Sequence, residues 1–134
     1  MRTGGLLAFV FGCATIFAAK ADTIQIGDGT SSTDYVPACG WFDYSWSDSL
    51  YLKEQIGDTC VITGLSYYVS NSPYEYEMND QRIYLLETER SVFDSIAYEN
   101  PASSGAACVF TGSVTWNGSG WHTIVLDTPF EYSG

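Results

Sequence analysis

Cys108-Val109-Phe110-Thr111-Gly112-Ser113-Val114-Thr115-Trp116, followed by Asn117-Gly118-Ser119-Gly120 and then Trp121-His122-Thr123-Ile124-Val125-Leu126, is the stretch on which the fold class turns. In the first part Cys108, Phe110, Gly112, Val114 and Trp116 alternate with Val109, Thr111, Ser113 and Thr115. In the last part Trp121, Thr123 and Val125 alternate with His122, Ile124 and Leu126. A period of two places alternate side chains on opposite faces of an extended strand; a helix would require a period near 3.6. Asn117-Gly118-Ser119-Gly120 is turn chemistry of the kind that joins two strands, and it predicts a short hairpin.

The same period recurs upstream. Thr23–Gly27 sets Ile24 and Ile26 on one face, which predicts a strand. Val61, Thr63, Leu65, Tyr67 and Val69 alternate with Ile62, Gly64, Ser66, Tyr68 and Ser70, predicting a long strand whose first set is the apolar face. Arg82–Glu87 reads as a buried strand, with Ile83 and Leu85 opposite Tyr84 and Leu86. Gly27–Ser32, Asn71-Ser72-Pro73 and Asn100–Gly105 separate these segments, and proline cannot donate to a strand ladder. No segment shows a helical stripe, a repeat or a low-complexity linker. Short strands with regular turn signals predict an all-β antiparallel sandwich or barrel.

The 134 residues suit one domain. A hydrophobic fraction of 46% supplies a core and excludes wholesale disorder. Arg2 followed by the uncharged apolar run Leu6–Ala18 and Ala19-Lys20-Ala21 reads as a signal peptide, with cleavage after Ala21. The run is too short to span a bilayer. The expected organisation is therefore a signal peptide at 1–21 and a β-sandwich domain at 22–134. Pro129–Gly134 reads as a strand end and a turn, so a further strand is expected beyond it and the domain is expected to be incomplete at its C-terminus. Cleavage removes Arg2 and Lys20, so 16 acidic residues face 3 basic ones, an excess of 13 negative charges. Such a field repels phosphate backbones and anionic lipid, which excludes nucleic acid and leaves neutral glycans, cations and proteins. Acidity also serves solubility alone.

Cys39, Cys60 and Cys108 remain after cleavage and meet an oxidising compartment, which predicts one disulfide and one thiol left over. Cys39–Cys60 is the preferred pair, though spacing leaves the pairing open. The cysteines are widely spaced and His122 is the only histidine, so a zinc site is not expected. For the same reason no nucleophile–base pair suggests itself, and His122 reads as a sheet histidine. No catalytic residue is assigned. Asp28, Asp43 and Asp127, with Asp34 and Asp48, are candidate oxygen ligands for one structural calcium, against the simpler reading of solvated loop carboxylates. No other cofactor is expected.

Trp41-Phe42-Asp43-Tyr44-Ser45-Trp46 is the densest aromatic cluster. Rings beside carboxylates could stack on sugars; the preferred reading is that Phe42, Tyr44 and Trp46 cap the core. Tyr74 and Tyr76, in the acidic loop expected over Pro73–Asp80, are better placed for contact, because loops on a rigid scaffold carry recognition. The candidate ligand-binding residues are Trp41, Trp46, Tyr74 and Tyr76.

Several patches together resemble a known module. They are Ile26–Thr33 with Val36-Pro37, Tyr44-Ser45, Tyr51-Leu52, Ile62–Tyr68, Ile83-Tyr84-Leu85 with Thr88, Ser91 and Phe93, Phe110–Thr115, and Gly120–Gly134. In order and spacing the chain resembles a β-sandwich module of exported multidomain proteins of Bacteroidetes-type bacteria. The resemblance covers most of residues 22–134 and implies a jelly-roll-like adhesive or ancillary domain with further domains on the same chain. It implies no catalytic residue, and the three cysteines are not part of it. Asp22-Thr23-Ile24, Asp48-Ser49-Leu50 and Asp94-Ser95-Ile96 resemble the O-glycosylation acceptor of such bacteria. Asn117-Gly118-Ser119 fits an N-linked sequon, though a turn is its simpler reading. The expected function is a non-catalytic adhesive or structural module of a secreted or cell-surface protein that contacts a surface protein or a glycan. The alternative is a carbohydrate-binding module accessory to a downstream hydrolase or protease.

Overall fold

The computed structural model describes residues 22–29, 33, 37, 39, 42–70, 75–95 and 98–134. The expected signal peptide and its cleavage point at Ala21 lie outside them. The elements in chain order are α1 (Lys53–Ile56), β1 (Cys60–Val69), β2 (Glu75–Leu85), α2 (Pro101–Ser104), β3 (Ala107–Asn117) and β4 (Gly120–Tyr132). The fold is mostly β, built on two antiparallel sheets of two strands: β1 pairs with β4, and β2 pairs with β3.

That pairing overturns the hairpin expected at Asn117–Gly120. β3 and β4 follow one another almost directly, yet they enter different sheets, so the link is a corner. Gly118 and Gly120 take φ of 76° and 131°, a combination that turns the chain out of one sheet and into the other. Three aromatic rings hold the corner. Trp116 of β3 lies edge-on to Tyr67 of β1 at 6.4 Å and to His122 of β4 at 5.5 Å, and so joins the two sheets. Ser119 Oγ donates to Ser70 O at 3.2 Å and ties the corner to the end of β1.

Two further links join the sheets away from the corner. Thr111 N of β3 donates to Asp127 Oδ2 of β4 at 2.8 Å. Beyond the strand ends, Ser133 donates its backbone N–H and its hydroxyl to the Glu87 carboxylate, while Thr59 Oγ1 donates to Ser133 O at 3.0 Å.

Irregularities in pairing decide which side chains turn inward. Ile62 sits opposite Phe130 and Gly64 opposite Val125, so Thr63 alone faces the four residues 126–129. Pro129 lies in that excursion, where its missing N–H costs no ladder bond. The inward set of β1 changes there, from Cys60 and Ile62 to Leu65, Tyr67 and Val69. The single apolar face expected for Val61–Val69 is therefore two half-faces, with Val61 and Thr63 pointing outward. In the other sheet Val109 is the extra residue between two consecutive pairs, Ile83 with Phe110 and Tyr84 with Cys108, and it is 1% exposed. Asp80, at φ 56°, lies in a second bulge between Met78 and Gln81.

Among the described residues the buried apolar side chains are Cys39, Val109, Val114, Ile124 and Leu126. Thr23–Gly27 forms no strand; Ile24 and Ile26 are exposed, because an extended segment without a partner has no ladder to join. Asn100–Gly105, expected as a loop, contains the single helical turn α2. Asn100 Oδ1 accepts from Ala102 N at 3.1 Å, Pro101 opens the turn, and Gly105 closes it at φ 81°. α1 is a similar turn, with Leu52 N donating to Gln55 Oε1 at 2.8 Å.

Candidate functional site

Alternation forces a choice of side at every rung of the β1–β4 sheet. Tyr67 and His122 turn toward Trp116, so their neighbours Tyr68, Trp121 and Thr123 turn away from the other sheet. Three outward rungs follow one another: Gly64 opposite Val125, Ser66 opposite Thr123, and Tyr68 opposite Trp121. The rings of Tyr68 and Trp121 meet edge-on, centroids 5.5 Å apart at 72°. On the next rung the hydroxyls of Ser66 and Thr123 share a hydrogen bond of 2.8 Å. Tyr68, Trp121 and Val125 are 60%, 56% and 70% exposed, so this face carries bare aromatic and aliphatic surface. Among the described residues paired on it, the one charge is Glu131, opposite Val61 and across the bulge from the three rungs.

The outward face of the β2–β3 sheet has the ordinary character of a wetted surface. Its exposed pairs are Glu75 with Asn117, Glu77 with Thr115 and Arg82 with Thr111, and Ser113 Oγ donates to Asn79 Oδ1 at 2.6 Å. Two outer faces of one small protein thus differ in kind.

The residues expected to bind ligand do not gather in one place. Trp46 is exposed and packs on Tyr98, centroids 5.3 Å apart and tilted by 57°. Beside it Arg90 Nη1 donates to both carboxylate oxygens of Glu99, at 2.9 and 3.0 Å, an exposed ion pair of the kind that contributes little to stability. Tyr76 is exposed but lies within β2, opposite Trp116, not in a loop. Trp41 and Tyr74 lie outside the described residues. Phe42, Tyr44 and Trp46 do not cap the core as expected: all three are exposed, Tyr44 almost completely.

His122 is held by Gly118 O at 3.0 Å from Nε2 and by the Trp116 ring. A depression of about 210 Å³ lies beside it between β3 and β4, floored by Phe110, Val114 and Ile124. It is smaller than the roughly 300–1,000 Å³ usual for a small-molecule site. Cys39, Cys60 and Cys108 are free thiols, so the preferred Cys39–Cys60 bond is not formed. Cys39 is buried, Cys60 half-buried and Cys108 exposed, with the Cys108 thiol 3.5 Å from Thr111 Oγ1. No group of three or more His, Cys, Asp or Glu among the described residues is placed to hold a metal ion. Of the calcium candidates, Asp28 and Asp43 are exposed and Asp127 accepts from Thr111 N. No helix among the described residues is long and apolar enough to cross a membrane.

Two side chains have displaced acidities. Burial, with the nearby Tyr51 phenol second, pushes Tyr67 up to about 12. The backbone and hydroxyl donors of Ser133 hold Glu87 below the usual carboxylate range.

Tyr68 and Trp121 were not among the residues singled out by sequence. Their signal was present as two alternating sets, Gly64-Ser66-Tyr68 and Trp121-Thr123-Val125, but nothing local said that the two sets lie side by side. Set against known proteins, the chain matches no family model, no curated protein and no solved structure, so the outer face of β1–β4 has to be read from its own chemistry.

Proposed function

We propose that this chain is a non-catalytic adhesive module of a secreted or cell-surface multidomain protein, a jelly-roll-like β-sandwich that works by contact through the outer face of β1–β4. The observation that carries the reading is the asymmetry of the two outer faces. One is paired polar and charged side chains; the other is a nearly charge-free row bearing Tyr68, Trp121 and Val125 on a chain of net charge −11. Aromatic residues are enriched in contact surfaces, and here two exposed rings stand together. The engagement of His122 with Gly118 and Trp116 supports the non-catalytic part, since its Nε2 is already taken by a carbonyl. The apolar run before Asp22 supports export.

Beads coated with the full chain test the reading by their attachment to bacterial and host cell surfaces. The expected result is attachment that falls on Trp121→Ala and persists on Tyr76→Ala. Equal attachment by the parent and Trp121→Ala overturns it. For export, N-terminal sequencing of the protein recovered outside the cell should begin at Asp22, and a chain retained inside the cell sinks that part.

A further inference from the structure

We infer that the partner of the β1–β4 outer face is a neutral glycan chain, seated on the Tyr68–Trp121 ring pair and the neighbouring Ser66–Thr123 hydroxyl pair. The inference rests on the contact-module reading and narrows it to one ligand class.

Size comes first. Three rungs, each roughly 7 Å from the next, across two strands roughly 5 Å apart cover about 200 Å². A stable protein partner or a second copy of this chain buries about 800 Å² per side. The patch is too small for either and fits a ligand one sugar ring wide. Charge comes second. A second copy brings together two chains of net charge −11, and an anionic polymer meets the same long-range repulsion. A cationic peptide needs carboxylates to pair with, and the three rungs carry none. A neutral polymer meets neither obstacle.

The detailed chemistry agrees. Two rings at 72° form a floor and a wall, so the C–H face of a pyranose can lie on one ring while its edge meets the other. The hydroxyl pair then lies one rung along. Two hydroxyls offer two donors and four acceptor sites, and their mutual bond of 2.8 Å uses one of each. One donor and three acceptor sites are left for a sugar's own hydroxyls, which both donate and accept. Val125 continues the strip with an apolar contact and carries no charge.

The test titrates the full chain with cellohexaose, xylohexaose, laminarihexaose, mannohexaose and chitohexaose, using oligogalacturonate as the anionic control. Binding is read by calorimetry and by the indole N–H resonance of Trp121, assigned from its loss in Trp121→Phe. At least one neutral oligosaccharide is expected to bind and to shift that resonance, and oligogalacturonate is not. Trp121→Ala should weaken binding by about thirtyfold, as loss of an aromatic anchor does. Thr123→Val, which keeps its shape and so its fold, should weaken it by about tenfold through one lost hydrogen-bonding group. Trp46→Ala and Tyr76→Ala should leave it unchanged. If bead attachment depends on Trp121 while none of the five sugars binds, the glycan inference falls and the adhesive reading stands. If attachment ignores Trp121, both fall. Binding lost on Trp46→Ala but kept on Trp121→Ala overturns the inference and moves the site to the Trp46–Tyr98 pair.

Discussion

Val109→Ala and Val125→Ala, made separately, delete the same two carbon atoms from neighbouring strands at opposite extremes of exposure. Val109 is 1% exposed and Val125 is 70% exposed. At ~0.8 kcal/mol per buried carbon, full burial of the two carbons contributes ~1.6 kcal/mol. The cavity left at Val109 adds to this, for a total of about 2–3 kcal/mol. At Val125 less than a third of the burial is at stake, so the same deletion costs about 0.5 kcal/mol. Any loss of strand preference on replacing valine by alanine enters both variants, and the difference of about 1.5–2.5 kcal/mol isolates burial. Urea unfolding followed by circular dichroism reads it from the two midpoints at constant slope. For a domain near 110 residues that difference lowers the melting temperature of Val109→Ala by about 6–15 °C relative to Val125→Ala. Equal midpoints would show that the bulge at Val109 is not buried against anything that matters, and the inward assignment of β3 would fail with it.

Three other outcomes follow from the same contacts. Tyr67 is kept neutral in the fold, so its contribution is complete below pH 10, where the unfolded phenol begins to ionise, and is lost as pH rises toward about 12. Urea midpoints across that window should fall in the parent and stay flatter in Tyr67→Phe; parallel curves would contradict it. Glu87 is held ionised by Ser133, so its contribution is present above the ordinary carboxylate pKa and disappears as pH falls through its lowered value. The stability gap between the parent and Glu87→Gln should therefore close on acidification, and a gap independent of pH would refute the clamp. At Gly64 a methyl group would stand 3.2 Å from Ile124 O, a backbone atom of the paired strand. Gly64→Ala should cost about 1 kcal/mol or more despite alanine's smaller loss of chain entropy, and a rise in melting temperature would show that the close approach of β1 and β4 is not real.

Much of the secondary structure was legible. Cys108–Trp116 and Trp121–Leu126 alternate because each strand has one wet and one dry side, and the structure places strands over both. β2 starts at Glu75, well before Arg82: Glu75, Glu77 and Asn79 alternate with Tyr76 and Met78, a period of two that the acidic, proline-led segment disguised as a loop. The single turn α2 is encoded by Asn100-Pro101 and Gly105, residues that loops use just as often. Ile24 and Ile26 carried a strand signal that came to nothing, since propensity alone cannot supply a pairing partner.

The candidate site divides the same way. Sequence names Tyr76 as a ring free for contact, and it is exposed, though on a strand and not in a loop. It places Phe42, Tyr44 and Trp46 as caps of the core, where hydrophobicity argues for them, and all three are exposed. It ranked Tyr68 and Trp121 no higher than any other strand residue.

What the residues determine alone is local: a period of two, glycines where the chain must turn, and a strongly negative net charge. Which strand lies beside which is decided by contacts between residues far apart in the chain. Gly118 and Gly120 allow a hairpin as readily as a corner, and the packing of Trp116 on Tyr67 and His122 selects the corner. That selection puts β4 beside β1, and only then do Tyr68 and Trp121, remote in sequence, share one face.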